Sequence, residues 1–391
     1  MDLKRLPRLF GALVALVAVC AAAAPAEGAL PGKNGKIAFK RGYPGSIYAV
    51  NPDGSGETLL SKEGANSHTP AWAPNGARLS FTSDGDGLDN SYNLFAVNAD
   101  GSGLTQLTSF YDESPWGASW SPDASAVAFV SAGVIHTVRA DGTGLTALAE
   151  GGFPAWSPDG STIAFSDTEG RLTLMSSDGS GQRVLTSSPA SEPQWSPDGS
   201  SIAFVFTGLH LIDSDGTGER QLAATATADM DWSPDGRQIA YSADVGSNRD
   251  VYVVNADGSG AARLTNDPAF DAGPAWAPDG TRIAFVSDRD RPHGLTGIYT
   301  MAADGTNVTV LAEGHGGPEW QRIPPPRRFR KRLPAAISAS VETTIDPIGA
   351  PNPFEKQNVR VSAQSAHSRT GVPVAACALK MRAPSMWTAT F

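Results

Sequence analysis

Apolar residues between positions 30 and 322 come in short runs, broken apart by clusters of Gly, Pro, Asp and Ser. The stretch "PAWSPDGSTIAFSD", Pro154 to Asp167, shows the arrangement: a Trp ends one run, a polar turn follows, and an "IAF" run comes next. Short β-branched and aromatic runs between turn clusters read as strands. No long apolar stripe of helical period occurs in this region, so the pattern predicts an all-β fold.

The turns have readable chemistry. In Ser157-Pro158-Asp159-Gly160, Pro presets φ at the second turn position, Asp tolerates the third and Gly takes the fourth. Asp178-Gly179-Ser180-Gly181 reads as a second tight hairpin, with glycines free to take positive φ.

The phrase recurs. Its Trp falls at 72, 120, 156, 195, 232, 276 and 320, and each unit has the length of a four-stranded meander: a Trp strand, an "IAF" strand, an "IYxxN" strand and an "LT" strand. One such sheet cannot bury both faces alone, but repeats stacked radially can. The two ends of the series are incomplete. "GHGGPEWQRIP" (Gly314 to Pro324) has the Trp and nothing after it, whereas "NGKIAFKRG" (Asn34 to Gly42) has the "IAF" strand and no Trp before it. Joining the Trp320 strand to the sheet begun at Ile37 gives seven four-stranded sheets. The prediction is a seven-bladed β-propeller over residues 30–323, closed between its N-terminal strands and Trp320.

At "WSPDG…IAF…IYVVNADGSG…LT" the sequence resembles the TolB-type, or WD40-like (PD40), β-propeller repeat of exported bacterial proteins. The resemblance covers roughly residues 30–322 and recurs seven times. It lacks the Gly-His and Trp-Asp signature of true WD40 repeats. TolB itself carries six such blades behind an α/β domain, for which there is no room before Asn34, so the resemblance implies the propeller and export, not TolB's whole role.

Export is also expected from the first residues. Lys4, Arg5 and Arg8 precede an apolar run from Gly11 to Ala24, and Ala24-Pro25-Ala26 offers a cleavage site, so residues 1–26 read as a signal peptide. An uncleaved anchor is the alternative, and Cys20 stands in a poor lipoprotein box because Val19 occupies a small-residue position. The only other cysteine is Cys377, which leaves no intramolecular disulfide to hold the mature chain.

The overall net charge of −10 is unevenly spread. Residues 27–326 hold 17 basic and 36 acidic residues, a net of −19, whereas residues 327–391 carry +7. An acidic body argues against nucleic acid as a partner. "PPPRRFRKR" (Pro324 to Arg332) reads as a stiff basic linker, and residues 333–391 as a poorly ordered tail.

A meander places its turns alternately on two faces. The Pro-Asp-Gly and Asp-Gly-Ser-Gly turns share one face. The links between second and third strands, and between blades, share the other, and variable links on a rigid scaffold are where binding residues gather. Those links are longer in the sixth, seventh, first and second blades. They predict a charged partner-binding lip of Lys40, Arg41, Tyr43, Arg249, Asp250, Asp288, Arg289, Asp290, Arg291 and His293, with the acidic loop at Asp84 beside it. Just ahead of the Trp residues, His68, Asp112, Glu113, Glu192, Asp229, Asp231, Asp271, His315 and Glu319 are expected around the channel mouth. Both groups also fit ordinary solvated loops.

Catalytic signatures are missing: no Gly-x-Ser-x-Gly, His-Glu-x-x-His, Cys-x-x-Cys, Walker or Gly-x-Gly-x-x-Gly motif occurs. Asp84, Asp86 and Asp89 form a hard-oxygen cluster of the kind Ca²⁺ prefers, without the EF-hand spacing. No other cofactor is expected. The sequence therefore reads as an exported, monomeric, non-enzymatic propeller that binds a protein or peptide partner in the cell envelope or outside the cell. The mature chain is expected to have no transmembrane span. The alternative is a carbohydrate-binding or hydrolytic propeller with its site at the acidic mouth.

Overall fold

The computed structural model describes residues 32–85, 91–111, 113–290 and 295–324, together with the strand pair Lys380–Arg382 and Met386–Thr388. The expected signal peptide and nearly all of the linker and tail lie outside the described residues.

Seven four-stranded antiparallel sheets form the blades of a propeller. Blade I contains His315–Ile323, Lys33–Arg41, Ser46–Val50 and Thr58–Leu59. Blades II to VII follow in chain order, with first strands Ser67–Trp72, Trp116–Trp120, Gly152–Trp156, Ser191–Trp195, Ala226–Trp232 and Asp271–Trp276. These first strands contact one another from blade to blade and so line the axis. Among the described residues there is no helix long and apolar enough to cross a membrane.

The closure joins the two half-phrases. Ile37 pairs with Trp320 and Lys33 with Ile323. Gln321 fastens the joint from both sides: its Oε1 accepts from Lys36 N (2.8 Å), and its Nε2 donates to the Gly76 carbonyl of blade II (2.6 Å).

The core lies between blades. The Phe of the "IAF" run is fully buried in blades I, II, III, IV, V and VII as Phe39, Phe81, Phe129, Phe165, Phe204 and Phe285. Burying such a ring contributes about 1.5–3 kcal/mol. Ala38, Ile47, Ala49 and Leu60 of blade I pack on Trp72, Leu79 and Phe81 of blade II, which shows how each sheet uses its neighbour to cover its second face. Several of the Trp residues also bridge blades through their indoles. Nε1 of Trp72, Trp120, Trp195 and Trp232 donates to the carbonyl of Glu319, Ala71, Ala155 and Gln194, the residue preceding the Trp in the preceding blade.

The turns behave as their residues require. In blade IV, Gly160 N donates to the Ser157 carbonyl, and Ser157 Oγ donates to Asp159 Oδ1 (2.6 Å). One link differs from expectation. The long connection of blade VI is not a loop: Gln238–Val245 and Asn248–Asn255 continue as a hairpin, with Val245 opposite Asn248.

Candidate partner-binding face

The register of each first strand places the site. Six of the seven pair with their second strands through a shift just ahead of the Trp, and blade I has the corresponding shift between Ala38 and Lys40 and a second between Asn34 and Ile37. A residue with positive φ sits inside each one: Thr69 (48°), Gly117 (65°), Phe153 (53°), Glu192 (53°), Asp229 (71°), Gly273 (60°) and Gly316 (77°). These are β-bulges, which insert an extra residue and re-aim the local chain. Four of the seven positions carry side chains where glycine would be free of strain, a cost of roughly 1–2 kcal/mol each. The available sequence signal was Gly117 and Gly273, both three residues before their Trp, together with Gly316.

Pairing also fixes which residues share a face. Ser67 lies opposite Ser83, and Asp271 opposite Ser287, so the start of each first strand stands beside the end of its second. Asn66 N donates to Asp84 Oδ1 (2.8 Å) and Phe270 N to Asp288 Oδ1 (2.8 Å). The second-to-third links and the blade-to-blade links therefore meet on one face.

Around the mouth the side chains change character. At the seam of blades I and II, Lys40 Nζ lies 2.8 Å from His68 Nδ1 and 3.5 Å from Asn66 Oδ1, and Lys40 pairs with His315 across the sheet. Burial lowers the Lys40 ammonium, and it lowers both histidines, helped by the Lys40 charge. At blades III and IV, Trp116 and Phe153 stack edge to face at 4.8 Å. At blades V and VI, Asp229 N approaches Glu192 Oε2 (3.4 Å). Burial raises both carboxyls. The Asp229 charge adds to the rise at Glu192, and Arg249 opposes it at Asp229.

Deeper in the channel stand Asp231 and Glu319, each immediately before its Trp. Asp231 Oδ2 accepts from Trp276 N (2.6 Å), and burial pushes Asp231 up to about 7 against the charge of Arg322. Glu319 is pushed up to about 8 by burial and then by the Asp231 charge. Its Oε2 is enclosed and has no hydrogen-bond partner among the described residues.

The other expected site residues divide between exposed and interior positions. Tyr43 is 95% exposed, and Arg249 pairs with Asp244 (2.8 Å) over the Phe270 ring. Arg41 is held by Glu57 and lies over Tyr48. Asp250 does not reach the lip; it is 0% exposed and paired with Arg263 (2.6 Å). Asp271 is likewise fully buried rather than at the mouth, because Arg289 turns inward to bond both its oxygens (2.9 and 2.8 Å), with its guanidinium over the Phe285 and Tyr299 rings. Glu113 accepts from Ser131 Oγ, and Asp290 has positive φ. Asp86, Asp89, Asp112, Arg291 and His293 fall outside the described residues.

Of the exposed aromatics, the sequence had pointed only to Tyr43. Four large aromatic side chains stay exposed among the described residues: Tyr43, Tyr111, Trp116 and Phe270. All four stand on the variable face, in second-to-third or blade-to-blade links or at the start of a first strand.

The profile of the TolB β-propeller domain, PD40, matches residues 31–185 and 171–321. The chain belongs to the TolB β-propeller family. Solved structures similar to this chain include putative TolB from Agrobacterium tumefaciens, 25% identical, with a TM-score of 0.45 over 55% of this chain and 87% of that one. Oligogalacturonate lyase from Vibrio parahaemolyticus is 16% identical, with a TM-score of 0.54 over 72% and 86%. A prolyl endopeptidase is 11% identical, with a TM-score of 0.54 over 79% and 56%. No curated protein matches the sequence significantly. The lyase and peptidase likenesses show the propeller fold alone.

Proposed function

We propose that this TolB-family propeller is exported and binds a protein or peptide partner on its variable face without chemically changing it. The observation that carries this reading is the placement of all four exposed aromatics, Tyr43, Tyr111, Trp116 and Phe270, on that face. Tyr and Trp are enriched where proteins meet, because they bury much area at little entropic cost. The experiment is capture from an envelope extract. A variant carrying Tyr111→Ser and Trp116→Ser should lose the partner, and Leu145→Ser on the opposite face should keep it. Equal capture by both variants refutes the assignment. Repeating the capture with Ca²⁺ and with a chelator tests the calcium proposal at Asp84, Asp86 and Asp89.

One feature favours a second reading, a glycan- or peptide-cleaving propeller. Asp231 and Glu319, pushed up to about 7 and about 8, can exchange protons near neutral pH, and burial raises Glu192 and Asp229 beside them. Turnover by pure protein, abolished in Glu192→Ala with Asp229→Ala, would establish that reading and displace the first.

A further inference from the structure

We propose that Lys40, His68 and His315 form a binding site for a peptide carboxylate at the seam where the ring closes. The proposal rests on the partner-binding reading above and gives the partner an orientation.

Three strands supply the site: Lys33–Arg41 and His315–Ile323 of blade I, and Ser67–Trp72 of blade II. Five arginines of this acidic ring are paired with carboxylates, Arg41 with Glu57, Arg171 with Asp167, Arg249 with Asp244, Arg263 with Asp250 and Arg289 with Asp271, while others such as Arg183 and Arg282 donate to backbone carbonyls. Among the described residues Lys40 has no carboxylate partner, and its contacts, Asn66 Oδ1 and His68 Nδ1, are neutral. Asp84 is near enough to act on His68, but one of its oxygens accepts from Asn66 N. The Asn66 side chain meanwhile donates to Tyr92 OH.

The Lys40–His68 contact fixes the chemistry. An ammonium can only donate, so His68 Nδ1 accepts and the ring proton resides on Nε2. The seam then offers the remaining ammonium hydrogen and an imidazole N–H, with His315 beside them. These are the donors a carboxylate accepts from, and bonds to an ionised acceptor are the strong ones. The path of Lys40 is also built in. A Cβ at Gly45 would come 1.8 Å from Lys40 Cε, so this glycine leaves room for the lysine to reach blade II.

The rest of the mouth sets direction. Glu192 and Asp229 repel a carboxylate and suit a cationic side chain, and Trp116 with Phe153 supplies an apolar wall. A bound peptide thus places its acid toward blades I and II and its basic residue toward blades V and VI. The groups facing His68 are Lys40, His315, Asp84, Asn66 and Tyr92. His315 is held below its ordinary range in the free protein by burial and the Lys40 charge, so an added anion draws a proton onto it and binding tightens as pH falls, while His68 keeps Nδ1 free to accept from Lys40.

The test uses the full chain and unlabelled hexapeptide pools, read by titration calorimetry. Four pools combine a free or amidated C-terminus with the presence or absence of Asp and Glu, and all contain Lys and Leu. Pools with a carboxylate should bind about tenfold more tightly than the amidated pool without acids, a difference of about 1.4 kcal/mol. Whichever acid arm binds identifies the source as the chain terminus or a side chain. Lys40→Gln should erase the difference. So should Gly45→Ala, which shifts Lys40 while keeping its charge, and both variants should melt as the parent does. Affinity should rise several-fold between about pH 7.5 and about pH 5.5, across the histidine range. Equal binding of all four pools overturns the carboxylate site and leaves partner binding standing. Retention of the difference in both variants overturns it too, and so does failure of every pool while envelope capture still depends on Tyr111 and Trp116.

Discussion

Glu319 and Asp178 illustrate how one residue type, the carboxylic acid, responds in opposite ways to its position. Glu319 lies in the channel with an unpartnered oxygen and titrates at about 8. Its unfolded counterpart ionises near about 4.3. Between those values the native state holds the extra proton, so stability falls as pH rises from about 4 to about 8 and then levels. Glu319→Gln should therefore raise the Tm by a few degrees at pH above about 8 and leave it unchanged near about pH 4, checked by calorimetry. Asp178 is exposed and accepts from Ser180 N and Oγ, bonds that hold it below its usual value. Its contribution is present above about pH 4 and disappears as pH falls through its lowered folded value. Asp178→Ala should lower the Tm at neutral pH, and the difference should shrink as pH falls below the ordinary Asp value of about 4, read from melts across pH. The sequence placed Glu319 and Asp231 near the mouth. Their depth was not legible, because it depends on how far into the first strand the bulge falls.

At the scale of the element, the first strand shows where period-two reasoning runs out. Alternation identified the strand pairs, and every blade follows the meander it predicted. An inserted residue does not disturb composition, so the bulge left no trace in the alternation except the glycines Gly117, Gly273 and Gly316. Gly273 sits at φ +60°, and a Cβ there would lie 3.0 Å from the Gly317 Cα. Gly273→Ala should cost about 2 kcal/mol, measured by urea unfolding, because it adds left-handed strain to backbone crowding. Thr69→Asn should gain up to about 1 kcal/mol in the same assay, since Asn tolerates this conformation better than a β-branched residue does. The interior pairs Arg263–Asp250 and Arg289–Asp271 were likewise hidden from the sequence. A charged residue in a link reads as solvated until a partner from another part of the fold is placed beside it.

At the scale of the whole molecule, the ring closure was the most legible feature, because the two half-phrases could be counted. Ile37 opposite Trp320 now gives it a register. Removing residues 314–391 deletes the first strand of blade I and uncovers Ile37 and Phe39, which pack with Trp320. That chain should lose its cooperative melt or fall by about 10 °C or more, whereas removal of 326–391 should leave the Tm unchanged. The same register has a mechanical consequence. Lys33 lies beside Ile323, so the chain enters and leaves the ring at one point on the short-turn face, away from the aromatic-bearing mouth. Force applied between those two residues peels the pair open rung by rung instead of shearing it, the weakest direction in which two antiparallel strands can be loaded. A tether on one side of that point alone puts no load on the seam and leaves the mouth turned outward.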